Sequence, residues 1–430
     1  MKCEKRKVAQ GRVPKLRFPE FQGAGEWEEK RLGNCLLTHP EYGVNAPAVP
    51  YSESLPTYLR ITDISEDGIY NANKKVSVGI NVTNENYLED GDIVLARTGA
   101  SVGKSYRYKI ADGQLVFAGF LIRIRTDVSK ASSVFIHYSL TSDKYWKWIN
   151  MTSARSGQPG INSNEYASFP ILLSHMQEQQ KIADCLSSLD ELITLHTQKL
   201  DSLKTHKKGV MQQLFPAEGE TVPKLRFPEF RGAGEWEERK LEYLAKRGSG
   251  HTPSKSYAEY YNGGIKWVSL ADTNRLDNGL ILDTTKQISE LGIKNSSAVL
   301  HPLGTVILSR DAGVGKSAVI GCPMAVSQHF IAWVCHPSQL HNWFLYYVLQ
   351  NNKPLFERVA MGSTIKTIGL PFFVEMLIVI PSLPEQQKVA DCLSSLDELI
   401  AAQTQKLATL KTHKKGLMQQ LFPSADEVNT

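Results

Sequence analysis

Residues 13–21, Val-Pro-Lys-Leu-Arg-Phe-Pro-Glu-Phe, recur unchanged at 222–230, and the match runs on through Gly23-Ala24-Gly25-Glu26-Trp27 and Gly232-Ala233-Gly234-Glu235-Trp236. A second block, 178–216, returns as 385–423 with 32 of 39 positions identical. The offset is 209 residues in the first block and 207 in the second, so the repeat unit is about half of the 430-residue chain. Solenoid repeats are far shorter and need about three copies to bury a core; two long copies make a duplicated two-part module. Between the matched blocks, 36–174 and 245–381 share little beyond a few glycines and one short motif. Two nearly identical frames therefore hold two different inserts. Frames this alike suit one symmetric scaffold, and inserts this different suit the same task carried out on two targets.

The 178–216 block contains no proline before Pro216 and a single late glycine, Gly209. Its apolar residues step by four and three: Ile182, Leu186, Leu189, Ile193, then Leu200 and Leu203. The C-terminal copy repeats the seam as Val389, Leu393, Leu396, Ile400, Leu407 and Leu410. That spacing predicts a coiled-coil helix. His196 and Lys207 interrupt the first seam, and Gln403 and Lys414 interrupt the second at the same places. Pro170 stands before the first helix, Pro381 and Pro384 before the second, and Pro216 and Pro423 after them, as helix stops. At about 1.5 Å per residue each helix would run roughly 55–60 Å, longer than one domain body. Paired antiparallel, the two copies bury each other's stripe; the alternative is that each packs only on its own domain. His196 reads as a residue tuning register rather than a metal ligand, because its counterpart is Gln403. The Lys-Thr-His-Lys-Lys run at 204–208, repeated at 411–415, is either a solvated helix end or a contact for phosphates or a partner subunit.

Both inserts read as α+β. Asp92 to Arg97 forms a strand followed by Thr98-Gly99-Ala100-Ser101-Val102-Gly103-Lys104-Ser105, and the second copy has Thr305 to Arg310 followed by Asp311-Ala312-Gly313-Val314-Gly315-Lys316-Ser317. A nucleotide-binding loop would need glycine five residues before the Gly of Gly-Lys, and Thr98 and Arg310 stand there. The segment also reads strand–turn–strand. A turn whose glycines allow close approach of backbone to phosphate, flanked by Arg and Lys, is the better reading, beside that of a plain hairpin. Each insert closes on another polar loop, 153–162 and 360–367, rich in the side chains that read base edges. A third, Gly250-His251-Thr252-Pro253-Ser254-Lys255, opens the second insert. The aromatic runs Tyr145-Trp146-Lys147-Trp148 and Trp343 to Tyr347 read as helical core rather than as stacking platforms.

Composition is that of an ordinary globular protein: 42 % hydrophobic, 22 % charged, net charge +5. That balance permits nucleic-acid binding without demanding it. Six scattered cysteines without a Cys-x-x-Cys pair, no apolar run near 18 residues and a charged start without an apolar stretch behind it predict free thiols, no membrane span, no signal peptide and a cytoplasmic protein. No adenine-methyltransferase tetrad, methyl-donor fingerprint, helicase motif or metal-spaced cluster is visible. Glu28-Glu29-Lys30 has the look of part of a nuclease motif, but its repeat is Glu237-Glu238-Arg239.

In combination and doubled order, three features carry a resemblance: the Pro-Lys-Leu-Arg-Phe-Pro-Glu-Phe opener, the strand-Arg turn ending in Gly-Lys, and the proline followed by Glu-Gln-Gln-Lys at the start of a long helix. The chain resembles the specificity subunit of Type I restriction–modification systems. The resemblance implies an α+β chain with two globular, mixed α/β target recognition domains. These are joined by two long helices in an antiparallel coiled coil, with pseudo-two-fold symmetry. The expected divisions are 1–177 and 217–384 for the recognition domains, 178–216 and 385–423 for the spacer helices, and 424–430 for a tail. It further implies a non-catalytic subunit that reads an asymmetric bipartite site on double-stranded DNA, one half-site per domain. Two modification subunits, which methylate adenine, and restriction subunits complete the complex; S-adenosylmethionine, ATP and Mg²⁺ belong to those partners and no cofactor to this chain. The expected DNA-binding residues are Arg97, Thr98, Ser101, Lys104, Arg155, Gln158 and Asn162 in the first insert and Thr252, Ser254, Lys255, Arg310, Lys316, Ser363 and Lys366 in the second. A methyltransferase or nuclease acting alone, and a coiled-coil adaptor binding only protein, are the alternatives.

Overall fold

A computed structural model describes residues 12–154, 158–362 and 366–423. The chain forms two compact units, one containing the residues up to Leu195 together with those from Leu407 onward, the other His196–Lys406. Each unit thus takes its own globular body and half of each long helix, a division that the contiguous ranges expected from sequence do not capture.

In the first unit Glu28–Arg31 pairs antiparallel with Pro170–Leu173, closing the insert at its base. One four-stranded sheet has the order Glu41–Tyr42, Leu121–Ile124, Ile93–Ala96, Ser105–Arg107, and another the order Ala48–Pro50, Val76–Val78, Thr57–Leu59, Leu115–Phe117. Ile93–Ala96 is buried at every position, as suits a strand covered on both faces. The second unit repeats the plan with a five-stranded sheet. Its order is Ala245–Ser249, Phe330–Cys335, Val306–Ser309, Ser317–Ile320, Leu280–Ile281. A four-stranded sheet stands beside it, and Glu237–Lys240 closes the base against Leu377–Ile380.

The central helix spans Met176–Leu214 and the C-terminal helix Leu383–Leu421, each beginning and ending two residues earlier than expected. Pro384 sits inside the first turn rather than before it, where the missing N–H would have had no helical partner anyway. The seam residues are buried or half-buried throughout. In the first unit Ile182 and Leu186, near the start of the central helix, share a core with Leu417, Met418 and Leu421 near the end of the C-terminal helix. In the second unit Val389 and Leu393 share a core with Val210, Met211 and Leu214, the two helices having exchanged roles. The pairing is antiparallel in both.

Its polar contacts follow the same exchange. Asp190 accepts from Lys414 Nζ at 2.6 Å in the first unit, and Lys207 is paired with Asp397 in the second. Tyr138 OH donates to Asp190 at 2.7 Å and Tyr347 OH to Asp397 at 2.8 Å, each phenol pushed up by burial. The interruptions of the seam meet one another: Gln403 Nε2 lies 2.7 Å from His196 Nδ1 and donates to the His196 carbonyl at 2.8 Å. Lys207 and Lys414 are therefore engaged in the helix pair. The rest of the repeated lysine run, including Lys204, Lys208 and Lys415, faces solvent.

The helix ends are locked by the opener. Arg17 and Glu178 form a two-pronged ion pair at 2.6 and 2.7 Å, with side chains 6 % and 1 % exposed; the carboxylate raises the guanidinium pKa further. Arg226 and Glu385 repeat it at 2.7 and 2.8 Å. Lys181 pairs with Glu20 and lies over the Phe18 ring, as Lys388 does with Glu229 and Phe227. The backbone of Leu16 donates to Gln420 O, and that of Leu225 to Gln213 O. Each opener thus grips the start of one helix and the end of the other. Phe422 packs on Trp27 and Phe135, and Phe215 on Trp236 and Phe344, each ring contributing about 1.5–3 kcal/mol of burial. The sequence signature is therefore a mechanical joint.

Candidate nucleic-acid interface

In each insert the fold gathers separate polar loops into one cluster. In the first, Gly99 N donates to Pro159 O at 3.0 Å, Ile161 N to Arg97 O at 2.9 Å and Arg97 N to Phe120 O at 3.1 Å; Val44 N donates to Phe117 O at 2.8 Å. The turn after Arg97, the loop ending at Asn162, the 117–121 turn and the Tyr42–Val44 segment are thereby held together. In the second, Ile368 N donates to Arg310 O at 2.8 Å, Arg310 N to His329 O at 3.0 Å and His251 N to Val326 O at 3.0 Å. Three of the four backbone bonds recur, joining the turn after Arg310, the 366–368 segment, the 326–329 turn and the His251–Thr252 loop.

A glycine makes one of these contacts possible in each insert. A Cβ on Gly43 would overlap the carbonyl oxygens of Phe117 and Ala118, and one on Gly250 those of Val326 and Ser327. Sequence reasoning passed over Gly43 and named Gly250 only as the start of a polar loop; the signal was a glycine shared between otherwise divergent inserts.

The expected residues do different things. Arg97 is half-buried with its guanidinium 4.8 Å from the Tyr42 ring centroid. It donates to Gly119 O at 3.4 Å, and its buried Nε has no partner among the described residues. Tyr42 OH accepts from Ser163 N, and the contact with Ser163, aided by Arg97, lowers the phenol's pKa. Thr98 bridges to Gly160, Ser101 ends the short helical turn Gly99–Ser101, Lys104 pairs with Glu66, and Gln158 is exposed. Asn162 caps the helix Ser163–Ser168: its Oδ1 accepts from Glu165 N at 2.9 Å while Glu165 accepts from Asn162 N at 2.7 Å. Its side-chain oxygen is therefore committed to folding.

In the second insert Arg310 Nε donates to Ile368 O at 3.2 Å, Lys316 Nζ to Thr273 O at 3.2 Å, and Thr252 Oγ1 to Gln328 Oε1. Ser254, Lys255 and Lys366 are exposed. Arg155 and Ser363 lie outside the described residues.

The reading of the Gly-Lys glycines as phosphate cradles needs correction. Gly103 is buried at φ +89° with Ile149 side-chain atoms about 2.9 Å from where a Cβ would stand, and Tyr145 OH donates to its carbonyl at 2.8 Å. Gly315, at φ +81°, meets Lys353 and Phe356 in the same way. These glycines let a helix pack against the turn. Sequence reasoning also missed Tyr42, Phe120, Asp311, Gln328 and His329, which stand in the clusters beside the expected arginines.

Comparison with known proteins places the chain in a class. It belongs to the family of the Type I restriction modification DNA specificity domain, whose profile matches residues 55–205 and 233–412. Among relatives, the Type I restriction enzyme MjaVIII specificity subunit of Methanocaldococcus jannaschii is 24 % identical over 420 residues, covering 95 % of this chain and 93 % of its own length. The fold matches the crystal structure of the Type I restriction–modification S subunit from M. genitalium with TM-score 0.61 and 16 % identity, over 96 % of this chain and 99 % of that one. A chain solved in work on assembly and conformational transition of the type I R-M system matches with TM-score 0.55 and 18 % identity, over 93 % and 98 %. Specificity subunits of this family serve DNA recognition rather than catalysis. Among the described residues, no helix is long and apolar enough to cross a membrane.

Proposed function

We propose that this chain is the DNA-reading subunit of a cytoplasmic Type I restriction–modification complex, and that each loop cluster reads one half of an asymmetric, bipartite double-stranded site. One observation carries the reading. The two clusters are built by matching backbone hydrogen bonds around Arg97 and Arg310, yet present unlike side chains. Equal frames with unequal reading faces suit two different half-sites. The paired helices act as the spacer that sets the gap between the half-sites. Phosphate contacts from Arg and Lys supply affinity, which then falls steeply with salt. Two modification subunits carrying S-adenosylmethionine methylate adenine, and restriction subunits bring ATP- and Mg²⁺-dependent translocation and cleavage.

The test is a graft. Replacing 36–174 with the insert of another specificity subunit and selecting bound sites from random DNA should change one half-site and leave the other, and the gap, unaltered. A change in both half-sites overturns the modular reading. Turnover by the purified chain alone, with labelled S-adenosylmethionine or with Mg²⁺, would favour an enzyme.

A further inference from the structure

The two clusters differ most sharply at one matched position. In both, the backbone N–H of the cluster arginine donates to the carbonyl of a turn residue, which is Phe120 in the first domain and His329 in the second. The turn holding Phe120 is fixed on both sides: Gly119 N donates to Val44 O and Leu121 N to Ala118 O, each at 2.8 Å. On this fixed turn Phe120 is 60 % exposed, next to Gly119, whose carbonyl accepts from Arg97. A large apolar ring held into water beside a cation stacked on Tyr42 does nothing for the fold's core. At the matching place His329 Nδ1 lies 2.7 Å from Asp311 Oδ2. A carboxylate only accepts, so Nδ1 carries the proton and Nε2 is the polar edge left over. Asp311 occupies the position that Thr98 holds in the first domain.

We propose that this position is a base-reading side chain in each domain, resting on the DNA-recognition reading above. Phe120 makes apolar contact with the 5-methyl group of a thymine in the first half-site, and His329 hydrogen-bonds a base edge in the second through Nε2. Thymine alone among the bases carries an apolar group in the major groove, and phenylalanine is one of the side chains that contact it. One frame would then read a methyl group at one end of the site and a polar base edge at the other.

The experiment uses the full-length chain assembled with modification subunits, selecting from DNA randomised across both half-sites. Wild type should prefer thymine at one position of the first half-site, and uracil there should weaken binding roughly 5- to 10-fold. Phe120→Ala should lose that preference and no longer distinguish thymine from uracil, with the second half-site unchanged; Phe120→His should exchange it for a different base. His329→Phe should alter one position of the second half-site only. Because Phe120 is largely exposed, its removal leaves no cavity, and an unchanged melting curve confirms that loss of preference is not loss of fold. Selective wild-type binding with Phe120→Ala and His329→Phe selecting the same sites as wild type overturns the inference. Wild type without any sequence preference overturns the underlying functional reading instead.

Discussion

The joint at the base of the first domain and the joint at the base of the second are built on the same ion pairs, whereas the loop clusters they carry present unlike side chains. Tyr138, Asp190 and Lys414 meet in one unit as Tyr347, Asp397 and Lys207 meet in the other. At the clusters the same backbone bonds present Thr98 and Phe120 in one and Asp311 and His329 in the other. The scaffold thus repeats its ion pairs and tyrosine–aspartate contacts, while the loop clusters repeat backbone bonds and differ in side chains. That is the division expected of a part that must always assemble identically while what it recognises varies.

The largest test of equivalence is at the joint. Glu178→Ala leaves Arg17, whose side chain is 6 % exposed, without its counter-charge, and should cost about 3–5 kcal/mol in denaturant unfolding. Glu385→Ala should cost about 1 kcal/mol more than its twin, because Trp236 Nε1 also donates to Glu385 at 3.3 Å while Trp27 Nε1 has no partner among the described residues. Equal losses would show that the indole contact contributes nothing.

A sharper difference lies one residue before the junction tyrosines, where His137 in the first unit stands opposite Tyr346 in the second. His137 is half-buried with its Nδ1 enclosed and without a partner among the described residues, and desolvation lowers its pKa to about 4, with Lys414, Arg107 and Lys109 adding to the shift and Asp190 opposing it. The unfolded chain takes up this proton near the ordinary value of 6.5 and the folded domain resists until about 4. Stability is therefore complete above 6.5 and is lost as pH falls, by about 3 kcal/mol across that window. His137→Tyr, which carries over the residue of the matching helix, should remove most of that loss in urea titrations at pH 7 and pH 4.5. The buried His301 and half-buried His341, both lowered by desolvation, should leave a residual slope. A variant as acid-sensitive as wild type would sink the assignment.

At the clusters, Arg97→Ala and Arg310→Ala should each lower affinity by about 1–3 kcal/mol through one half-site, leaving selection at the other intact. Competition binding on sites mutated in one half at a time measures this. Loss of both half-site preferences from either change would mean that the clusters are not independent.

How much of this was legible in the sequence follows from the physics of each feature. The helices, their seam and its interruptions were readable because a coiled coil writes its contacts at fixed spacing. The pairing of His196 with Gln403 only gave a partner to two gaps already visible. The opener was recognised as a signature, but its role was hidden, because Arg17 and Glu178 lie 161 residues apart and nothing local says that they meet. The arginines of the clusters were found through their flanking glycines, while Gly103 and Gly315 were misread: a positive-φ glycine that packs under a helix and one that approaches a ligand look alike in one dimension. The capping role of Asn162 went unread because the side chain that reads adenine also caps helices, and Glu165 three residues later was the clue. Phe120 and His329 escaped notice because neither type is distinctive until the matched turn that holds them is seen.

The smallest expected effect concerns the interruption itself. Gln403 is 7 % exposed and satisfied by His196 through two contacts, so the pair is a filled polar gap in an apolar seam. Polar pairs at such positions fix register at some cost in stability. Replacing both with leucine should raise the stability of the second unit by about 1 kcal/mol, since apolar side chains of similar volume replace groups that had to be desolvated. The register should loosen in return. Lys207 and Asp397 report on it, because their ion pair forms only when the helices are aligned as they are here. A double-mutant cycle on that pair should give a positive coupling in the native seam and a coupling near zero in the leucine variant. Full coupling in the leucine variant would mean that the apolar seam alone sets the register, and that His196 and Gln403 merely tolerate one another.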